Sequence, residues 1–355
     1  MRKNSGLIAR HSAFYWGQAV PTILCLSLAI AMLAAAPIAE AQPAKVYRIG
    51  YLTSGTRPPA TDSVLDAFRQ SLRELGHIEG QNITIESRYA ELDQGRLAAL
   101  ANELINLRVN VILTSPDEPV IRAVQSATRT IPVVMPGSVV DPLAATFWGE
   151  KQRAPLVVSL AKPDGNFTGL TNLDSELHGK RLELLKETFP RVSRVALVWP
   201  RAQQQKQTLK DIEAVSQGLD IEIQSLPAGT LDDFDRALAE ISRKSPDAVL
   251  VARSQVIMTH RERIIGLATK KRLPTIFPER EFVNVGGLMS YGADTRDLYR
   301  RAATYVDKIL KGANAGELPI ERPIKFAFVV NLKTAKQIGL TIPPNVLARA
   351  DRVIR

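Results

Sequence analysis

The chain has 355 residues, of which 45% are hydrophobic and 23% are charged, and its formal net charge is +10. This is the composition of a globular protein, and at about 100–200 residues per domain the length predicts two domains. A single cysteine excludes a disulfide scaffold, a cysteine zinc site and an iron–sulfur cluster, and the four scattered histidines predict no metal site.

The first 41 residues have the pattern of a secretory signal peptide. Basic residues precede an uncharged apolar run over residues 20–36, and Ala39 and Ala41 supply the small residues of an A-x-A cleavage site. The apolar run is shorter than the ~20 residues that a membrane-spanning helix needs, so we favour a cleaved signal over an anchor. Cleavage near Ala41 predicts an exported mature chain without cysteine.

After this segment, apolar patterns alternate between strand and helix periods. The first series predicts strands at 46–52, 83–89, 109–113 and 131–135, and helices at 61–75, 94–107 and 119–128. The second series predicts strands at 195–199, 221–226, 248–251, 275–277 and 287–291, and helices at 203–217, 231–242 and 261–271. A helix at 298–310 and a strand at 326–330 follow. Strands that alternate with helices of this length form βαβ units, so the sequence predicts two α/β lobes, each a parallel sheet flanked by helices.

Ligands of open parallel sheets bind in the crevice beyond the carboxyl ends of the strands. That rule selects loops rich in hydroxyl, glycine and charged residues. The candidates in the first series are Ser54, Ser115, Asp117, Gly137 and Asp141. The candidates in the second series are Trp199, Arg253, Glu279 and Tyr291. We expect the two sets of loops to face each other across a cleft that closes on a solute.

Most of these residues also have a purely structural interpretation. Ser54 and Ser115 could be turn or N-cap residues, and Asp117 could stabilise a helix dipole by ~0.3–1 kcal/mol. Arg253 follows a buried strand and has no capping role. Its guanidinium could clamp a ligand carboxylate, or it could form a salt bridge with Glu279.

Motifs for nucleotide binding and ester hydrolysis are absent from the sequence: G-x-G-x-x-G, G-x-x-x-x-G-K-[ST] and G-x-S-x-G do not occur. We therefore predict a protein that is not an enzyme and that holds no cofactor and no metal. Basic residues are spread over predicted helix faces rather than collected in one patch, so nucleic acid is not predicted as a partner.

The chain resembles the ABC-transporter substrate-binding proteins of the tryptophan/aromatic amino-acid type, which have the periplasmic binding protein type 1 fold. Short motifs carry the resemblance, and they follow one another in order along nearly all of the chain after residue 41. They are RIGYL at 48–52, GHIEGQNI at 76–83, IPVV at 131–134, KPDGNFTG at 162–169, KRLELLK at 180–186, GGLMSYG at 286–292, KILKG at 308–312 and NLKTAK at 331–336.

The resemblance implies a signal peptide at 1–41, an N-terminal lobe of residues 42–168 plus about 293–322, and a C-terminal lobe of residues 169–292 plus about 323–355. It implies a monomeric periplasmic component of an ABC importer that captures a small organic solute, such as an amino acid, and delivers it to a membrane permease. The alternative is a periplasmic sensor that passes its ligand state to a signalling partner. By position, the resemblance adds Thr171 to the residues that line the cleft.

Three departures from the family pattern concern the cleft. The third strand ends in Ser-Pro-Asp-Glu at 115–118 instead of small residues, and two acids there would suit a ligand that carries an amine. Trp199 stands where the family has asparagine, so it is either core packing or a bulkier pocket wall. The connection at 144–155 is lengthened and contains Phe147 and Trp148; it is a lid or a surface loop, and we favour the surface loop.

Overall fold

The computed structural model describes residues 46–57, 64–138, 146–148, 151–153, 155–200 and 206–355. The predicted signal peptide and Asp141 lie outside these residues. Val46–Arg355 forms one compact unit. Within the described residues, no helix is both long enough and apolar enough to cross a membrane.

Two sheets and their flanking helices make up this unit. The strands are β1 Tyr47–Thr53, β2 Ile83–Tyr89, β3 Val111–Thr114, β4 Val133–Ser138, β5 Thr146–Trp148, β6 Lys151–Arg153, β7 Phe167–Thr171, β8 Arg194–Trp199, β9 Glu222–Pro227, β10 Ala248–Val251, β11 Thr275–Phe277, β12 Met289–Ala293, β13 Ile320–Glu321, β14 Phe326–Asn331 and β15 Arg352–Ile354. The helices are α1 Val64–Glu74, α2 Leu97–Asn106, α3 Glu118–Ala127, α4 Asp174–Thr188, α5 Lys206–Gly218, α6 Leu231–Lys244, α7 Gln255–Thr259, α8 Arg261–Lys271, α9 Arg280–Asn284, α10 Thr295–Leu310, α11 Leu332–Gln337 and α12 Pro344–Leu347.

The first sheet is parallel throughout, in the order β13-β7-β4-β3-β1-β2. Its central strands are buried on both faces, as β3 shows with four buried residues in succession. Helix α10 comes late in the chain but packs on this sheet, because its Leu298 and Tyr299 share a core cluster with Ile49 and Phe68. This sheet and its helices form the N-terminal lobe.

The second sheet has the order β15-β14-β12-β11-β10-β8-β9 and forms the C-terminal lobe with its helices. Its pairs are parallel except β12 with β14, which is antiparallel. The prediction of two α/β lobes built on parallel sheets is confirmed, with that one antiparallel pair as an addition. Three segments of chain connect the sheets: those after β7, after β12 and after β13.

Elements with clear apolar periods lie close to their predicted positions. The strand at 83–89, the strand at 248–251 and the helix at 261–271 have the predicted bounds. Several elements lie where the patterns predicted none, and the two that matter for the site are β7 and α4. Strand β7 pairs with β4 as far as Thr171, so it spans the predicted lobe boundary at 168/169, and the exact boundary stays a prediction.

The lengthened connection at 144–155 contains a β-hairpin. Strands β5 and β6 pair antiparallel, with Phe147 opposite Gln152 and Trp148 opposite Lys151. They form a two-stranded sheet separate from the two large sheets. Whether the hairpin covers the cleft or lies on the surface stays a prediction.

The backbone of the loop that contains Pro278 lies very close to Gly292 in β12. A Cβ at this position would overlap the carbonyl oxygen of Pro278, which precedes Glu279. We expect Gly292→Ala to lower the free energy of unfolding by about 1–3 kcal/mol, because the added methyl must push this loop away from the strand. Equilibrium urea unfolding measures the effect.

Gly266→Ala is the matched control for this substitution. Gly266 lies inside α8, and a Cβ there would have no neighbour within 4 Å. The control is expected to stabilise the protein by about 0.5–1 kcal/mol, because alanine has the higher helix propensity. Equal stability of Gly292→Ala and the unsubstituted protein would contradict the close approach.

Candidate functional site

The carboxyl ends of the parallel strands in the two sheets face each other. Ser54 follows β1 on the N-terminal lobe, and Arg253 follows β10 on the C-terminal lobe. The two edges approach closely, since a Cβ built on Gly55 would lie 2.5 Å from Nε2 of Gln255. The cleft predicted from strand order therefore lies between these two edges.

On the N-terminal lobe, a carboxylate is fixed by two hydroxyls. Ser54 and Ser115 donate hydrogen bonds of 2.8 and 2.7 Å to Oδ2 of Asp117. Asp117 occupies the N-cap position of α3, but its side chain accepts no hydrogen bond from the helix backbone. Ser54 and Ser115 thus bond to Asp117 rather than to the backbone of a helix end, and Asp117 itself lies at the positive end of the α3 dipole, as its structural interpretation expects.

The charge of Asp117 is left without a counter-ion. The residue is only 8% exposed, and among the described residues no cationic side chain lies within 4 Å of its carboxylate. Both hydroxyls use Oδ2, so Oδ1 accepts no hydrogen bond from the described part of the chain. A buried ionised carboxylate is costly unless a cation pairs with it, so this atom is suited to a cationic ligand group.

On the C-terminal lobe, the guanidinium of Arg253 pairs with the carboxylate of Glu279. The side chains are 13% and 6% exposed, so the pair is mostly shielded from water. Thr295 donates a weak hydrogen bond of 3.5 Å to Glu279, and the backbone N–H of Arg253 donates to Asp174 at 3.2 Å. Of the two interpretations of Arg253, the salt bridge with Glu279 is the one that the structure contains.

Helix α4 adds a buried charged cluster beneath this pair. Arg181 is 1% exposed and donates to Oδ1 of Asp174 and to the carbonyl oxygen of Tyr291, both at 2.7 Å. Burial by itself would raise the pKa of Asp174, but the charge and hydrogen bonds of Arg181 lower it to about 2. Arg181 thus joins α4 to β12 at the floor of the cleft.

A small polar cavity lies where these groups meet. It has a volume of about 10 Å³, which is room for about one water molecule, and it opens to solvent. Its lining residues are Asn172, Asp174, Arg181, Arg253, Pro278, Glu279, Ala293 and Thr295. Four of the eight lining residues belong to the connections after β7 and β12, where the chain crosses between the lobes, and Arg253, Pro278 and Glu279 follow strands of the C-terminal lobe. Within the described residues, no group of three histidine, cysteine or acidic side chains could hold a metal ion.

The family model for "ABC transporter substrate binding protein" matches residues 56–354. The chain belongs to this family. A curated relative from Clostridioides difficile, named a tyrosine-binding protein, is 23% identical over 283 residues, which are 79% of this chain and 78% of the relative.

Solved structures give the same architecture for this substrate-binding protein. A conserved domain protein from Vibrio cholerae is 26% identical, with a TM-score of 0.76, and the match covers 87% of this chain and 100% of that one. A Streptococcus pneumoniae ABC domain in complex with L-Trp is 24% identical, with a TM-score of 0.74 and the same coverage of both chains. These neighbours confirm the two-lobed fold.

The remaining predicted site residues of the substrate-binding protein have different environments. Trp199 is fully buried in the core of the C-terminal lobe and donates a 2.9 Å hydrogen bond to Ser225, so its role as a pocket wall is corrected to core packing. Tyr291 packs its ring against Phe326, with the centroids 6.3 Å apart. Thr171 is buried at the end of β7, and among the described residues its hydroxyl has no partner.

Gly137 is explained by backbone conformation. Its φ is +119°, and a Cβ there would lie 2.8 Å from Cδ1 of Leu298 on α10. A residue with a side chain would be strained by this φ and would force the side chain of Leu298 to shift. Gly137 therefore shapes the edge of the N-terminal sheet, where β4 ends beside the cleft.

Four polar cavity residues were missed by the sequence prediction: Asn172, Asp174, Arg181 and Thr295. The signal for two of them was the spacing of Asp174, His178 and Arg181, which places all three on one helix face. Leucines at 182, 184 and 185 complete the buried side of α4. The polar residues on this face weaken its apolar period, which is why no helix was predicted.

His178 should make the stability of the substrate-binding protein depend on pH. Burial lowers the pKa of His178 to about 4, from 6.5 in the unfolded chain. Arg181 donates to Nδ1 at 3.0 Å, which fixes the neutral tautomer with its proton on Nε2, facing Asp174. Between these pH values the unfolded chain binds the extra proton, so stability falls as the pH falls from 6.5 to 4, by about 3 kcal/mol in total.

Urea unfolding at a series of pH values tests this expectation. His178→Gln should flatten the slope between pH 6.5 and pH 4, because the group that titrates is gone. An unchanged slope in this variant would assign the pH dependence to other groups.

Proposed function

We propose that the protein is the exported solute-binding component of an ABC importer. It binds a small organic solute that carries an amine, such as an amino acid or a related compound, between its two lobes and delivers it to a membrane permease. Membership of the substrate-binding family supports this role. The names of two similar proteins, one tyrosine-binding and one in complex with L-Trp, support an amine-bearing ligand.

The observation that carries the proposal is the buried carboxylate of Asp117. Two serines fix the direction of this carboxylate and leave Oδ1 for a ligand. An ammonium group donates short, charge-assisted hydrogen bonds to such an oxygen. The family alone does not supply this group, because the Ser-Pro-Asp-Glu segment at 115–118 departs from its pattern.

Groups from both edges act on one buried ring, which supports a shared site. Burial raises the pKa of Tyr299 well above its usual value, and the charges of Arg253 and Asp117 act on it in opposite directions. Arg253 and Asp117 belong to different lobes, and the edges of these lobes approach closely, since a Cβ built on Gly55 would lie 2.5 Å from Nε2 of Gln255. A ligand that contacts both edges would favour the closed arrangement, which is the form that a permease can distinguish from the open one.

The proposal includes export, a monomeric state and the absence of catalysis. The signal-peptide pattern at 1–41 supports export to the periplasm. A carboxylate, two hydroxyls and paired charges suit reversible binding of a solute, and the resemblance to monomeric receptors supports the oligomeric state.

Native mass spectrometry of the exported protein tests the proposal. The full-length chain is produced with its own leader and purified from the periplasm, and bound solute is released by mild denaturation. The proposal predicts the mass of a mature chain that begins after Ala41. It also predicts that the released compound has a primary or secondary amine. A released compound without basic nitrogen, or a protein retained in the cytoplasm, would contradict it.

A further inference from the structure

The charges around the cleft do not balance. Among the described residues there, three carboxylates, on Asp117, Asp174 and Glu279, accompany two guanidiniums, on Arg181 and Arg253. Arg181 is paired with Asp174 and Arg253 is paired with Glu279, both within the C-terminal lobe. The one charge left over is the negative charge of Asp117.

We propose that the site selects amines that lack a carboxylate, because Glu279 already neutralises the guanidinium that would bind one. The Nε of that guanidinium is buried and has no hydrogen-bond partner among the described residues. Glu279 is thus a specificity-determining residue, and this inference rests on the proposed function. An amine without a carboxylate satisfies Asp117 and adds no second charge. The ammonium group of a zwitterionic amino acid can also pair with Asp117. Its carboxylate, however, has no unpaired cationic side chain of the described cavity to bind.

The burial of the Arg253–Glu279 pair makes displacement of Glu279 costly. Glu279 is 6% exposed, and its other described contact is the weak hydrogen bond of 3.5 Å from Thr295. A ligand carboxylate that took Arg253 would leave Glu279 as a buried charge without a counter-ion, and the two carboxylates would repel each other.

Arg181 offers no substitute for Arg253. Its donors are used by Asp174, by the carbonyl oxygen of Tyr291 and by Nδ1 of His178. His178 is neutral near pH 7, because burial lowers its pKa to about 4. Thus no second cationic group of the described cavity is free to take the carboxylate of an amino acid.

The N-terminal end of α9 does not require a carboxylate at position 279. Glu279 occupies the N-cap position of α9, but its side chain makes no capping hydrogen bond. Its backbone, by contrast, is positioned by Pro278 against Gly292. The carboxylate therefore serves the charge balance of the cleft rather than the end of the helix.

Calorimetry with matched pairs of compounds tests this inference on the exported full-length product, after bound solute has been stripped by refolding from urea. The pairs are tyramine with tyrosine, tryptamine with tryptophan, and isopentylamine with leucine, which differ only in the α-carboxylate. At least one amine is expected to bind about tenfold or more tightly than its amino acid. Tighter or equal binding of the amino acids would overturn the inference and leave the proposed function standing; no binding in any pair would overturn both.

Glu279→Gln provides the second arm. The substitution keeps the shape and removes the competing charge, so the affinity for the amino acid should rise about tenfold or more relative to that for its amine. Glu281→Gln is the control, because it removes the same charge from α9 while its carboxylate lies 3.6 Å from Arg280 rather than on Arg253. A thermal unfolding measurement establishes that the Glu279→Gln variant is folded. If the folded variant kept the same ratio of affinities for amine and amino acid, Glu279 would not determine ligand specificity.

Discussion

Asp117→Asn is expected to weaken the binding of an amine-bearing ligand by about tenfold to a hundredfold. A hydrogen bond to a charged group contributes roughly 1.5–3 kcal/mol, and the amide keeps the shape of the carboxylate but loses its charge. Ser54 and Ser115 can still donate to the amide oxygen, so the geometry of the loop is preserved. Calorimetry with the solute released from the purified protein measures the change in affinity.

The same substitution should leave the unliganded protein at least as stable as before. Asp117 is a buried charge without a described counter-ion, and a neutral amide removes that desolvation cost. Asp232→Asn is the control, since it removes an exposed carboxylate from the first turn of α6 in the other lobe. If the Asp117→Asn variant and the unsubstituted protein bound the solute with equal affinity, Asp117 would not contact the ligand and its role would be structural.

Arg181→Met is expected to have the largest effect on stability, about 3–5 kcal/mol. The methionine fills much of the space but leaves Asp174 as a buried carboxylate without its guanidinium. Breaking a buried ion pair by removal of one partner has costs of this size. The carbonyl oxygen of Tyr291 also loses its donor, which loosens α4 from β12.

Equilibrium urea unfolding at pH 7 measures this loss. Arg243→Met is the control, because Arg243 pairs with Glu240 on the exposed face of α6 and its removal should leave stability nearly unchanged. A loss of stability no greater than in the control would contradict the role of Arg181 as the connection between α4 and β12.

The fold could be predicted well wherever burial follows a regular period. The strand at 248–251 has four buried residues in succession, and its predicted bounds are those observed. Helix α4 could not be predicted in this way, because Asp174, His178 and Arg181 lie on its buried face. Their burial depends on one another, so it follows from the tertiary structure and not from hydropathy.

The facing of the two edges could be predicted from the sequence, but the contacts within the candidate site only in part. The rule that ligands bind at the carboxyl ends of strands selected the loops of Asp117 and Arg253, which the structure places on the two facing edges. Ser54 and Asp117 are 63 residues apart in the chain, so their hydrogen bond could not be read from the sequence. The salt bridge of Arg253 with Glu279 was one of two interpretations, and the choice between them required the distance between two loops.

Asp117 and Arg181 illustrate two uses of buried charge in this protein. Arg181 is surrounded by acceptors and stabilises the floor of the cleft. Asp117 has two donors and no cation among the described residues, and the proposal assigns that missing cation to the ligand. Stability and binding are therefore expected to depend on different charged residues, which the two substitutions separate.

The most direct test is a crystal structure of the exported protein with the solute that it releases. The account predicts that an amine nitrogen of the solute lies about 2.7–2.9 Å from Oδ1 of Asp117, between the two facing edges of the sheets. A solute bound elsewhere, or one that places an atom other than a basic nitrogen at this oxygen, would contradict the account.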